Sequence, residues 1–96
     1  MEKYIKGIYR KCIYDSKKGY IIGLFKVKDT NDPSMEDYKN KTITFTGTFP
    51  ALNIDDTYLF FGEPVKHARY GFQYNVNNFE RVKPEDIDGV IEFLSS

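Results

Sequence analysis

The chain has 96 residues, 41% hydrophobic and 17% aromatic, and its fourteen basic and fourteen acidic residues cancel to a net charge of zero. That length makes one domain, above the size at which disulfides or metals become necessary, and the aromatic residues alone can fill a core. Balanced charge argues against strong nonspecific nucleic-acid binding by the whole chain, so any such binding must come from a local patch.

Tyr4–Asp15 reads as a first strand rich in Ile and Tyr, with Gly7 as a bulge or bend. The single Cys12 falls in it, permits no internal disulfide, and reads as a small buried hydrophobe. Together with the lack of a signal peptide or long apolar run, this points to a reducing cytoplasm and away from a membrane. Asp15, Ser16, Lys17, Lys18 and Gly19 form a turn into a second strand over residues 20–28, so the pair is a hairpin. In that strand Ile21, Phe25 and Val27 share one face and Lys26 and Lys28 the other, while Gly23 suggests the coiling a closed barrel needs.

Residues 29–41 read as an extended loop, of which residues 29–34 lack apolar periodicity and should be solvated and mobile. Its Asp29, Asn31 and Asp32 lack the distal Glu of a calcium loop and are interrupted by Pro33, so they are read as ordinary water-facing loop side chains rather than as metal ligands. Residues 42–49 alternate, with Ile43 and Phe45 inward and Thr42, Thr44 and Thr46 outward. After a short connection, residues 57–61 make a fourth strand with Tyr58 and Phe60 on one face and Leu59 and Phe61 on the other. Apolar residues on both faces imply that something covers the outer one. Pro64 demotes the strand end to an edge or bulge.

The stretch His67-Ala68-Arg69-Tyr70-Gly71-Phe72-Gln73-Tyr74-Asn75-Val76 opens as a tight turn carrying basic and aromatic groups, with Gly71 free to take positive φ. It continues as a fifth strand over residues 72–82, in which Tyr74 and Val76 share a face. Pro84 suits the first position of a helix whose Glu85, Asp86 and Asp88 complement the dipole. Ile87, Val90, Ile91 and Leu94 give it one apolar stripe. The expected architecture is mainly β: a five-stranded OB-like barrel over residues 1–83, then a C-terminal helix over 84–96. An SH3-like barrel is the alternative, because residues 50–56 leave no room for a helix between strands three and four.

No phosphate-binding G-x-x-x-x-G-K-[ST] loop is present, and one Cys with one His cannot make a zinc site. A Cys12–His67 nucleophile lacks a guaranteed basic neighbour in an apolar strand. The fragment therefore reads as non-enzymatic and free of cofactors, and binding is the live question. Lys17, Lys18 and Tyr20 at one turn, and Lys66, His67, Arg69 and Tyr70 at the other, supply the cations and rings that strand binding requires. A different reading is a protein-docking module that uses Leu59, Phe61 and Val65 against another domain or subunit.

The string from His67 to Val76 resembles the H-P-K-Y-G-x-Q-F-x-V segment near the N-terminus of RecD-like ATP-dependent DNA helicases, relatives of the exodeoxyribonuclease V alpha subunit. Lys6-Gly7-Ile8 with Ile13-Tyr14 and Gly19-Tyr20 resembles that domain's first two strands. Thr46-Gly47-Thr48-Phe49-Pro50 is similar to its V-G-x-F-P, and Pro84 with Gly89 through Ser96 to its P-x-x-x-x-G-I-x-x-Y-L-x-S-G. Pro64 stands where the family usually has Trp, and Ala68 where it has Pro. The resemblance implies an accessory N-terminal OB-like domain of a bacterial motor acting in DNA repair or recombination. The motor, with its ATP and magnesium, would lie beyond Ser96. The implied partners are single-stranded DNA, weakly held, the downstream helicase domains and a possible further subunit.

Overall fold

The computed structural model describes residues 2–69 and 71–82. Five strands are present: β1 (Tyr4–Asp15), β2 (Tyr20–Thr30), β3 (Thr42–Thr48), β4 (Thr57–His67) and β5 (Gly71–Arg81). They close into a barrel in the ring order β1-β2-β3-β5-β4, every pair antiparallel except β3 with β5. This is the OB arrangement. The connection over residues 50–56 holds a turn and no helix, as its length requires. The C-terminal helix expected over residues 84–96 lies outside the described residues.

The core is built from rings on the inward positions of every strand. Phe45 lies at its centre, 4.9 Å from Phe60, 5.7 Å from Phe49, 5.9 Å from Tyr9 and 6.0 Å from Phe25, centroid to centroid. Phe25 stacks on Phe60 at 4.3 Å, and Ile5, Val27, Met35, Tyr58 and Tyr74 are fully buried with them. Ile43 and Phe45 point inward as expected, and the faces shared by Phe25 with Val27 and by Tyr58 with Phe60 are the buried ones, as is that of Tyr74; Thr46, expected outward, is buried, its hydroxyl bonded to Asn75. Cys12 is half-buried against this core and donates its S–H to the Tyr14 carbonyl at 3.4 Å.

Two expectations need correction. Residues 29–41 are not a solvated loop throughout. Pro33–Tyr38 form a 3-10 helix whose Met35 is fully buried in the core cluster, closing one end of the barrel. Asp32 is 2% exposed, and its carboxylate accepts from the Ser34 amide at 2.9 Å and the Ser34 hydroxyl at 2.8 Å, an N-cap. Asn31 accepts from the Tyr4 amide at 2.7 Å, and Asp29 accepts from Thr30 and pairs with Lys39. The polar cluster is thus spent on caps and ties. A single Met anchor has no periodicity, which is why the sequence pattern passed over it.

Secondly, β4 does not end near Phe61. It runs through Pro64 to His67, paired with β5 along its whole length. Its pairing with β1 stops at Tyr4↔Phe61. Beyond that point one edge of β4 faces no strand, so a proline that cannot donate there costs no ladder bond. Residues 62–67 therefore pair with residues 71–76 alone on that side, as a two-stranded ribbon closed at His67↔Gly71, with Gly71 at φ +76 as a tight turn requires. Tyr38 of the 3-10 helix stacks on Phe72 at 4.4 Å and 12°, bracing the ribbon at the base of its turn.

Tyr74 has its hydroxyl buried with no hydrogen-bond partner. Burial, then the nearby charge of Asp32, pushes its pKa from 10.0 up to about 12, and the Gly62 backbone only partly offsets them. The unfolded chain ionises this phenol first, so its share of stability is intact below pH 10 and is lost as pH rises toward 12. Tyr9, raised to about 12 chiefly by burial and next by Cys12, adds to the same alkaline decline. Tyr74→Phe should be at least as stable as the parent at pH 7, because it removes an unsatisfied buried hydroxyl. Its melting temperature should also fall less between pH 10 and 12. Parallel Tm-against-pH curves for the two proteins would count against this account.

Candidate nucleic-acid interface

Strand alternation aims every other residue of β2 and β3 at solvent, opposite the buried Phe25, Val27, Ile43 and Phe45. On β2 these outward residues are Tyr20, Ile22, Leu24, Lys26 and Lys28, and on β3 Thr42, Thr44 and Thr48; Thr46 lies on the same side of β3 but is only 6% exposed. The register sets them side by side as Tyr20↔Thr48, Ile22↔Thr46, Leu24↔Thr44 and Lys26↔Thr42. The parallel contact with β5 then brings Asn75 beside Thr46, whose hydroxyl donates to the Asn75 side-chain oxygen at 2.8 Å. Tyr20, Thr46, Thr48, Asn75 and Asn77 line a shallow depression of about 440 Å³ on this face.

None of these outward positions carries Asp or Glu. The face offers an apolar stripe (Tyr20, Ile22, Leu24) running into two cations, beside a row of hydroxyls and amides. Its surroundings favour anions as well. All four charged residues of 84–96 are acidic, so residues 1–83 hold fourteen basic against ten acidic, a net +4.

The first basic turn lies at one end of this face. Asp15 accepts from the Lys17 amide at 2.8 Å, and Ser16 Oγ accepts from the Lys18 and Tyr20 amides at 3.1 and 3.2 Å. Lys17 is held at φ 67, and both lysine side chains are exposed. Lys66, His67 and Arg69 are exposed at the tip of the β4–β5 ribbon, while Tyr70 lies outside the described residues. Tyr20 pairs with the last residue of β3, whereas the ribbon leaves past Tyr4 and Thr30, at the other end of β2. The eleven residues of β2 span on the order of 35 Å. The two basic turns are therefore not one cluster; they flank the β2–β3–β5 face from opposite ends.

Leu59 and Phe61 lie half-buried on the outside of β4, in a separate groove with Tyr4, Lys6 and Val82, and Val65 is farther out on the ribbon, paired with Gln73. Cys12 and His67 lie on β1 beside Gly23 and at the ribbon tip respectively, and so do not form a pair. Among the described residues no three His, Cys, Asp or Glu side chains are grouped as metal ligands, and none of the helices is long and apolar enough to cross a membrane. Lys26, Lys28, the threonine row and Asn75 were not picked out as site residues from sequence. The alternation of residues 42–48 was the available signal, but the parallel β3–β5 pairing that completes the face has no local signature.

The family model for the OB-fold domain of the ATP-dependent DNA helicase YrrC matches residues 2–84. The chain belongs to this family. The closed ring β1-β2-β3-β5-β4 agrees with it, and so does the RecD-like helicase resemblance read from the motifs. The matched residues are thus an accessory OB-fold domain of a DNA helicase family rather than its motor.

Proposed function

We propose that this domain holds single-stranded DNA across the β2–β3–β5 face, steadying a strand for a RecD-like motor that works in DNA repair or recombination. The observation that carries the reading is the acid-free row of Tyr20, Ile22, Leu24, Lys26 and Lys28 beside four threonines and Asn75. Rings and apolar side chains accept stacked bases of any sequence, lysines neutralise phosphates, and hydroxyls and amides give weak polar contacts without a fixed code. Lys17 and Lys18 at one end, and Lys66, His67 and Arg69 at the other, extend the track for the sugar-phosphate backbone. ATP and magnesium belong to the motor, since this sequence offers no phosphate loop. Such a domain works in the cytoplasm.

Titrating a labelled oligonucleotide into the domain at low salt, followed by NMR, tests the reading. Shifts should fall on Tyr20, Lys26, Thr44, Thr46 and both basic turns. Tyr20→Ala should weaken binding by about 1–3 kcal/mol with the salt slope unchanged, if its ring carries a base. Lys26→Ala or Arg69→Ala should make the slope of log affinity against log salt shallower by about 0.7 each. Silence on this face with a full response elsewhere would end the proposal. The second reading, docking to another domain or subunit of a DNA-processing complex, is favoured by the half-buried Leu59 and Phe61 and predicts no oligonucleotide response at all.

A further inference from the structure

The two ends of the barrel differ. Met35 of the 3-10 helix plugs one, while at the other the connection over residues 49–56 stands off from β1. That connection is tied down at both its ends. The Phe49 amide donates to the Gly19 carbonyl at 2.9 Å, and the Asp55 amide to the Tyr9 carbonyl at 2.8 Å. Between them the Asn53 amide donates to the Tyr58 hydroxyl at 2.8 Å. The ties leave a slot of about 430 Å³ walled by Tyr9, Cys12, Ile21, Phe49 and Leu52, with Asp15 and Lys17 also lining it. β1 forms one side of the slot. Its ladder with β4 stops at Ile8↔Thr57, and Tyr9 makes the last bonds, to Asp55 and Asp56. Beyond Tyr9, residues 10–15 pair with no strand but β2 among the described residues.

We propose that this slot docks an extended, acidic segment of a partner protein. The segment adds as a strand to the outer edge of β1 and places an apolar side chain in the pocket. A strand edge supplies main-chain donors and acceptors for the ladder, and a pocket beside it supplies the side-chain selection. Exposure marks the same line. Ile13 at 56%, Tyr14 at 52% and Ile54 at 58% are the most exposed large apolar side chains among the described residues. The first two stand on the edge strand and the third on the connection across the slot. Charge selects an acidic partner. Asp55 and Asp56 are matched to Arg10 at 2.8 Å and Arg81 at 3.1 Å. Lys11, Lys17 and Lys18 take part in no ion pair among the described residues and face Asp15 alone, a local net of +2. The same cations attract a DNA strand, but DNA has no amide groups to pair with a β edge. The bulges at Arg10 and Ile13 twist this edge, which discourages any flat strand and leaves the pocket to decide the occupant.

The test titrates two synthetic peptides into the full 96-residue chain, followed by NMR. One is Asp-Glu-Val-Phe-Val-Asp-Glu, and the other carries Lys at each acidic position. The acidic peptide should shift the amides of residues 10–15, Ile21 and Leu52, and slow hydrogen exchange along residues 10–15. The lysine peptide should leave all of these in place. Methylating one alternate set of backbone nitrogens in the acidic peptide should weaken binding about tenfold or more, since ladder bonds are lost, and methylating the other set should be tolerated. Lys11→Glu, at an exposed position, should weaken binding about threefold to tenfold without moving the core signals. An acidic peptide that leaves residues 10–15 unshifted would overturn the proposal. So would equal binding by the lysine peptide, or by both methylated peptides. Shifts on residues 10–14 and Leu52 from an oligonucleotide would make the slot a DNA site instead. Shifts there that grow with protein concentration alone would mean that a second copy of the chain pairs with the edge. The peptide and oligonucleotide titrations read different surfaces, so either proposal can fail without the other.

Discussion

Replacing Phe45 with alanine should lower the domain's stability by about 3–5 kcal/mol, the range for removing a large buried aromatic. Phe45 is fully buried and touches the rings of Tyr9, Phe25, Phe49 and Phe60, which come from β1, β2, the residue after β3 and β4. Tyr9, Phe25 and Phe60 are fixed by their strand registers and Phe49 by its amide bond to the Gly19 carbonyl, so the cavity cannot close by one side chain moving in. A domain of this size holds only about 5–15 kcal/mol, so most of its margin would go. At about 4–8 °C per kcal/mol the melting temperature should drop by on the order of 20 °C. Phe45→Leu keeps most of the volume and should cost clearly less. Denaturant unfolding of the three proteins measures it; a Phe45→Ala loss under about 1 kcal/mol would mean that the barrel centre is looser than its ring contacts describe.

The same ring cluster explains why the barrel was readable from sequence. Phe25 and Val27, Ile43 and Phe45, and Tyr58 and Phe60 each sit two apart between polar or opposite-facing neighbours, and period two fixes both the strand and its buried face. Gly19 and Gly71, both at positive φ, marked the two hairpin turns. What local pattern could not carry was anything decided by distant partners. The extension of β4 through Pro64 depends on β1 beginning only at Tyr4, a fact about another part of the chain. The burial of Met35 depends on the open end of the barrel needing a plug.

The candidate interface divides in the same way. Its cations and ring at the turns stand out by composition, because Lys17-Lys18 and Lys66 to Arg69 are dense in charge. The face between them is made of threonines, an asparagine and two lysines that look like ordinary solvent-facing strand residues. Only the ring order, with β5 laid parallel to β3, gathers Asn75 and Thr46 to one surface and sends the basic turns to its two ends.

Gly62→Ala should both destabilise the domain and displace the basic ribbon. Gly62 sits at the β4–β5 register shift, where Phe61 pairs with Asn78 and Gly62 with Val76, leaving one extra residue on β5. A Cβ at Gly62 would overlap the Asn75 carbonyl oxygen and lie 2.9 Å from its carbon and 3.1 Å from Val76 Cα. All three are backbone atoms, so no side-chain rotation relieves the clash and the two strands must part. Overpacking of this kind costs about 1–3 kcal/mol, and here it falls on the segment that closes the barrel. β5 meets β3 only at Phe45↔Tyr74 and Thr46↔Asn75, so moving Asn75 strains both the closure and its hydrogen bond to Thr46. The expected result is a lower melting temperature together with NMR shift changes at Thr46, Asn75 and residues 66–71. Gly71→Ala is the control: its added Cβ meets nothing within 4 Å, and the only cost is φ +76, roughly 1–2 kcal/mol. Gly71→Ala should leave Thr46 and Asn75 unmoved. If Gly62→Ala were as stable as the parent with Thr46 unshifted, the close approach of β4 and β5 at the bulge would not be what fixes the ribbon's direction.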